Sequence, residues 1–301
     1  MSTAVRHRSA SGRWHFQHGP IDCLIDAQGQ AGVAAECIEQ SWLRFRDLLD
    51  ELVDELPLLR AGLAAAGGQG TAPHGAVARR MVAACRPHAR DGRFITAMAA
   101  VAGSVAEELI ACFDRPGIDR AWINNGGDIA LHLQPGHRVD VGTVADLPRA
   151  YAGWAPEGRF TIDATSPVRG IATSGWRGRS FSLGIADAVT VLARTASTAD
   201  AAATVIANAV DVDAVGIVRR PANEVRDDSD LGARAVTVAV ATLSARDVDA
   251  ALAAGSRQAE REVASGRIVA AILQLQGQVR VCGTIAVSTR LSSLPELVPS
   301  C

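Results

Sequence analysis

The chain has 301 residues, 48% of them apolar and 21% charged, with 30 basic against 32 acidic side chains and a formal net charge of −2. That balance leaves no basic excess to displace counterions from nucleic acid, and the apolar fraction is too high for a disordered polymer. All 30 basic residues are Arg, which excludes Schiff-base chemistry, pyridoxal phosphate anchoring and a lysine-bearing phosphate loop.

The first 14 residues are polar and Arg-bearing and lead into no apolar run, so they do not read as a secretory signal. The uncharged apolar run Phe94 to Ala106 holds 13 residues, short of the roughly 20 that cross a bilayer. Six Cys at 23, 37, 85, 112, 282 and 301 include no CxxC pair and read as inert thiols. The expectation is a soluble, cytoplasmic protein with neither nucleic acid nor membrane as a partner.

In chain order, residues 1–13 are expected as a disordered arm. Arg13 to Asp26 alternate around aromatic and branched side chains and predict a strand pair interrupted at His18-Gly19-Pro20. Ala34 to Arg60 carry Ile38, Trp42, Phe45, Leu48, Leu49, Leu52 and Leu56 at helical spacing and predict one long amphipathic helix ending near Pro57. Residues 61–73 read as a mobile Ala/Gly loop. Helices are expected at Gly75–Cys85 and Met98–Phe113, and two apolar alternations flank the Gly pair within 121–133. Residues 151–167 read as irregular loop. Short strands at 168–175 and 187–194, a helix at 197–210, then strand, helix, strand and strand to residue 287 complete a single α+β domain over 1–301 with a mostly antiparallel sheet.

Three stretches carry chemistry. In Asn124-Asn125-Gly126-Gly127-Asp128 the glycines suit either a tight hairpin turn or a backbone-lined cradle for an anion, and the two are compatible. In Thr173-Ser174-Gly175-Trp176-Arg177-Gly178-Arg179-Ser180 the hydroxyls and bidentate arginines suit phosphate oxygens and Trp176 suits stacking on a planar ring, unless this is a plain polar loop. Ala172 stands where a G-x-S-x-G elbow needs Gly, which argues against a hydrolase serine. Asp200 and Thr204 share a helical face one turn apart. They suit a hard cation such as Mg2+, or else Ser197-x-x-Asp200 is a capping box. There is no HExxH, and His15 and His18 fall on opposite faces of an alternating strand, unlike a ligand pair.

The succession Asn-x-Gly-Gly-Asp (124–128), Ala-Thr-Ser-Gly (172–175), Val-Thr-Val (189–191) and Ala-Asp-Ala-x-x-Thr (199–204) resembles the ApbE-like superfamily, which includes the FAD:protein FMN transferases. More narrowly, from about Trp14 to Gln276, the chain resembles a shorter bacterial and archaeal branch, a family of unknown function. The resemblance implies an α+β, T-fold-like duplication, FAD or a related nucleotide as ligand, and Mg2+ held by Asp200, Thr204 and the backbone carbonyl of Ala99. It implies that Gly126, Gly127, Asp128, Thr173, Ser174 and Gly175 line the FAD cleft; the residues themselves add Asn125 as a candidate beside them and Arg177 or Arg179 as holders of the phosphates.

Two departures bear on the transferase reaction, in which FMN passes to a Thr hydroxyl of an acceptor protein and AMP leaves. Val101-Ala102-Gly103-Ser104 stands where the transferases have a Lys-Gly-Tyr-like turn, with Ala102 at the lysine position. The 24 residues Trp176–Ala199 lack the transferases' His-x-x-Asp-Pro-x-Thr-Gly segment, and Asp187, their only carboxylate, is the one candidate for a substitute base. The expectation is a Mg2+- and flavin-binding protein, acting as an FMN transferase or FAD pyrophosphatase. The alternatives are a non-catalytic nucleotide binder or an enzyme on another anionic small molecule.

Overall fold

A computed structural model describes residues 3–63, 72–143 and 158–284. The strands are β1 (Val5–Arg8), β2 (Trp14–His18), β3 (Ile21–Gly29), β4 (Ile118–Asn125), β5 (Asp128–Leu133), β6 (Arg138–Thr143), β7 (Gly158–Asp163), β8 (Gly170–Ser174), β9 (Ala188–Ala193), β10 (Ile217–Pro221), β11 (Ala235–Val240), β12 (Ala270–Leu275) and β13 (Gln278–Gly283). The helices are α1 (Ala31–Asp54), α2 (Leu56–Arg60), α3 (Ala76–Arg90), α4 (Val101–Ile110), α5 (Ala196–Ala209), α6 (Ala222–Val225) and α7 (Ala245–Ala264). The class is α+β with extensive antiparallel sheet. Where the sequence reads as one domain, the contacts group into two compact units. One comprises Met1–Arg138, Asp163–Ala172 and Ala193–Ala201, and the other comprises the remainder.

In the first unit the strand order is β1-β2-β3-β4-β5, continued by the start of β8 at Ile129↔Ile171 and Ala130↔Gly170. Alternation sends Phe16, Cys23, Ile25, Ala121 and Ile123 to a fully covered face, against which α1 and α4 pack. Phe45 of α1 meets Phe16 at 5.4 Å between ring centroids, and Trp42 meets Phe16 at 5.1 Å. The predicted long helix divides at Pro57, which sits in the first turn of the short α2, where a missing N–H costs no helical bond. Glu55, at that division, accepts the N–H groups of His74 and Gly75, both at 2.7 Å, and so closes the start of α3.

Residues 3–13 of the opening arm are ordered where disorder was expected, and residues 1–2 lie outside the described residues. Residues Val5–Arg8 pair with β2, and Arg6 lies over the rings of Trp14 (5.6 Å) and Trp42 (5.0 Å) while pairing with Glu39 at 2.6 Å. Four residues are too few to show a period, so only these cross-strand contacts reveal the strand. Helix α3 runs past the predicted end because His88 and Ala89 are core residues, and the chain passes through Pro87 at the cost of one bond. The predicted 98–113 helix is α4 flanked by two 3-10 turns. Of the expected mobile loop at 61–73, residues 64–71 lie outside the described residues.

In the second unit β9 is buried along its whole length and pairs with β12, which forms a hairpin with β13 and packs against α7. β6 pairs with β7, a strand that lies wholly in the stretch 151–167 read as irregular loop, of which residues 151–157 lie outside the described residues. β10 pairs with β11, and with α6 it fills a stretch to which the sequence assigns no element. Among the described residues no helix is long and apolar enough to cross a membrane.

Within the first unit, helix α4 and the opening residues of α5 exchange carboxylates. Gly103 donates its N–H to Asp200 Oδ2 at 2.9 Å, while Ser197 donates its N–H (3.0 Å) and hydroxyl (2.7 Å) to Glu107 Oε2. Each helix thus supplies an acid to the positive start of the other. Arg80 of α3 holds Glu107 at 3.2 Å and Glu108 at 2.9 Å, and Arg44 of α1 reaches Glu108 at 2.8 Å. The close approach requires Gly103, since a Cβ there would lie 2.3 Å from the Ala196 carbonyl oxygen and 2.9 Å from Asp200 Cβ.

Gly103→Ala is therefore expected to destabilise the protein by about 1–3 kcal/mol, because backbone must move to admit the methyl. Gly32→Ala in α1, where a Cβ meets nothing within 4 Å, is expected to be neutral or stabilising by at most about 1 kcal/mol. Urea unfolding of the two variants beside the parent chain checks the contrast.

Candidate functional site

The Asn-Gly-Gly-Asp stretch is a hairpin turn. Asn125 and Asp128 pair across β4 and β5, and Gly126 (φ 66°) and Gly127 (φ 116°) both take positive φ, as the two central residues of a type I′ turn do. Asn124 Oδ1 accepts the Gly127 N–H at 2.8 Å. The Asn125 side chain is buried and spent on architecture. Its Nδ2 donates to the Ala102 carbonyl at 3.1 Å, and its Oδ1 accepts the Asp22 N–H at 3.3 Å. Asn125 therefore fastens the turn to the start of α4. Gly126 stays exposed, so the turn backbone is open to solvent.

Asp200 is not a capping residue of its own helix. That role falls to Thr195, whose Oγ1 accepts the Thr198 N–H at 3.3 Å, while Ser197 is committed to Glu107. The Ser197-x-x-Asp200 box is thus absent, because both of its members serve α4 instead. Asp200 is half-buried as a residue, and the pKa of its desolvated carboxyl is pushed well above the ordinary carboxylate value. Desolvation is the larger cause and the negative charge of Asp128 the next, and the N–H groups of Gly103 and Ala102 oppose them. An acid so placed holds a proton tightly in the absence of a competing cation. Ala99 lies in the 3-10 turn just before α4, and Thr204 follows Asp200 by one turn of α5. Among the described residues no three His, Cys, Asp or Glu side chains converge as metal ligands, so any cation here would rely on hydroxyl, carbonyl or water oxygen as well.

The second unit organises the Thr-Ser-Gly-Trp-Arg stretch around Asp187. Thr173 Oγ1 meets Thr190 Oγ1 at 2.9 Å. Gly175 packs on the backbone of Asp187, where a Cβ would lie 2.4 Å from the carbonyl oxygen. Asp187 Oδ1 accepts from Trp176 Nε1 at 3.3 Å and pairs with Arg177 Nε at 3.0 Å, while Oδ2 accepts the Gln276 N–H at 2.5 Å. The Arg177 guanidinium lies 5.2 Å from the centre of the Trp176 ring. Both carboxylate oxygens of Asp187 are engaged in holding this loop, with Trp176 and Arg177 set by it. Arg179 is exposed beyond them.

No local pattern marks Glu107 or Gln276, which hold Ser197 and Asp187 in place, and nothing local ties Gly103 to Asp200. A cleft of about 520 Å³ among Asp114, Gly117, Asp119, Gln134, Pro135 and His137 lies at the far end of β4 from the Gly-Gly turn and contains none of the predicted residues. Cys23, Cys37, Cys85, Cys112 and Cys282 are free thiols, each with its pKa raised chiefly by desolvation, as expected of inert cysteines.

A family model described as AbpE bacteria matches residues 4–281. The chain is 34% identical over 203 residues to the UPF0280 protein of Methanosphaerula palustris, covering 66% of this chain and 77% of the relative. It is 31% identical over 207 residues to the UPF0280 protein of Methanococcoides burtonii, covering 67% and 79%. With the UPF0280 protein of Methanothrix thermoacetophila it shares 35% identity over 130 residues, about half the relative's length.

Because Asp200 is easier to protonate folded than unfolded, the stability it contributes is complete below the ordinary carboxylate pKa and is lost as pH rises through its elevated folded value. Asp200→Asn keeps an oxygen for the Gly103 N–H and removes the repulsion from Asp128. In metal-free buffer at neutral pH it is expected to raise stability by about 1 kcal/mol, roughly 2–4 °C in Tm, with the gain shrinking toward acid pH. A Tm below that of the parent chain at neutral pH would mean that the charge itself stabilises α4.

Proposed function

Because this chain belongs to the AbpE bacteria family, we propose that it binds FAD or a related phosphorylated nucleotide with Mg2+, on a fold of the ApbE, T-fold-like kind. The observation that carries the reading is Asp200: a desolvated carboxyl facing the charge of Asp128, beside an open Gly-Gly turn. A hard divalent cation relieves the same repulsion that otherwise recruits a proton, and oxygen donors are what Mg2+ takes. Asp200 would hold it, with the Thr204 hydroxyl and the Ala99 carbonyl as further ligands. Bound Mg2+ supplies charge neutralisation for phosphate oxygens.

Within the first unit, Asp128 and the backbone of Asn125, Gly126 and Gly127 are assigned to the ligand, since the Asn125 side chain is already spent. Within the second, Thr173, Ser174 and Gly175 offer hydroxyls and backbone, and Arg177 and Arg179 offer phosphate donors. Trp176 is pinned by its N–H to Asp187, which suits a ring held ready for stacking. The engagement of Asp187 with Trp176, Arg177 and Gln276 favours binding over transfer, because a base needs a free lone pair aimed at the acceptor hydroxyl.

Isothermal titration with FAD is expected to show saturable binding in Mg2+ that weakens at least tenfold in EDTA or in Asp200→Ala. Equal binding in EDTA would remove Mg2+ from the reading, and no binding would remove the flavin. AMP together with FMN or an FMN adduct among the products would extend it to transfer or hydrolysis at the phosphoanhydride.

A further inference from the structure

We propose that His7 and His15 form a paired-imidazole site for a divalent transition-metal ion, with Asp22 as the carboxylate that orients His15. The two histidines are direct partners across β1 and β2. His7 Nε2 and His15 Nδ1 face each other at 3.3 Å, with the rings edge to face and their centroids 4.7 Å apart. Without an ion, one imidazole N–H can donate to the other ring's nitrogen at that separation. The separation also matches the ligand-to-ligand spacing of about 3.3–3.4 Å for two imidazole nitrogens bound tetrahedrally at roughly 2.0–2.1 Å from one ion.

The second nitrogen of His15 completes the pattern. Nε2 lies 2.6 Å from Asp22 Oδ1, which fixes the ring and the tautomer that leaves Nδ1 free to ligate, as carboxylates behind metal-bound histidines do. Asp22 is fixed in turn, its N–H being accepted by Asn125. The neighbouring Phe16 is fully buried, so alternation turns His15 to the opposite face of the sheet. There His7 is exposed, and the side chains of His15 and Asp22 keep 21% and 43% of their surface. No third side chain converges on the pair among the described residues, so water completes the coordination.

Two imidazoles select Zn2+ or Cu2+ over Mg2+, which makes this site independent of the one assigned to Asp200. Its effect is to clip the four-residue strand β1 to β2 at the end of the sheet order. By mass action the ion stabilises whatever state holds the pair together.

The test is calorimetric titration of the full chain with ZnCl2 in excess Mg2+, with circular dichroism confirming that each variant is folded. One saturable Zn2+ site is expected, weakened at least tenfold in both His7→Ala and His15→Ala and about tenfold in Asp22→Asn. Zn2+ is expected to raise the Tm of the parent chain and not that of His15→Ala. Absence of binding to the parent chain, or binding that survives either histidine substitution, overturns the proposal and leaves only a contact between two imidazoles.

Discussion

Two helix starts, each closed by an acid from the other helix, fasten α4 to the opening residues of α5 within the first unit. Asp200 serves Ala102 and Gly103, Glu107 serves Ser197, and the absence of a side chain at Gly103 lets the two helices meet. Arg80 and Arg44 neutralise the Glu107–Glu108 pair behind them, with Glu108 drawn below its ordinary pKa because hydrogen bonds from Arg44 and Arg80 overcome its desolvation. Among the described residues Asp200 has no such cation. The two acids serve the same kind of backbone partner, and only one of them has its charge compensated by a side chain.

That asymmetry links architecture to the proposed function. An uncompensated carboxyl beside Asp128 is costly while the site is metal-free, and the cost falls when a cation or a proton arrives. The turn at Gly126-Gly127 is held against α4 through Asn125, so the acid and the open backbone form one rigid assembly. The second unit repeats the device with different parts. There Asp187 fastens a glycine-bearing loop, but Arg177 balances its charge, so it works as a fastener.

Much of this was legible in the residues, for identifiable reasons. The Asn-Gly-Gly-Asp turn shows because positive φ at successive positions demands glycine, and β9 shows because a strand buried on both faces is apolar throughout but for Thr190. The partition of duties among Thr195, Ser197 and Asp200 was hidden. A capping box and a long-range carboxylate share one local spelling, and the deciding partner, Gly103, is 97 positions away. The His7–His15 pair was hidden for the same reason. His15 read alone is an isolated histidine, and its partner became visible only once Val5–Arg8 proved to be a strand. Glycines that touch a distant backbone, and acids that serve a distant helix, leave no local pattern.

The elevated affinity of the Asp200 carboxyl for a positive charge can be read directly by following its 13C resonance against pH in protein labelled at aspartate. Asp200 should titrate well above the ordinary carboxylate range in EDTA and return toward that range when Mg2+ is added. Titration among the ordinary aspartates in EDTA, unmoved by Mg2+, would contradict both the uncompensated carboxyl and the cation site built on it.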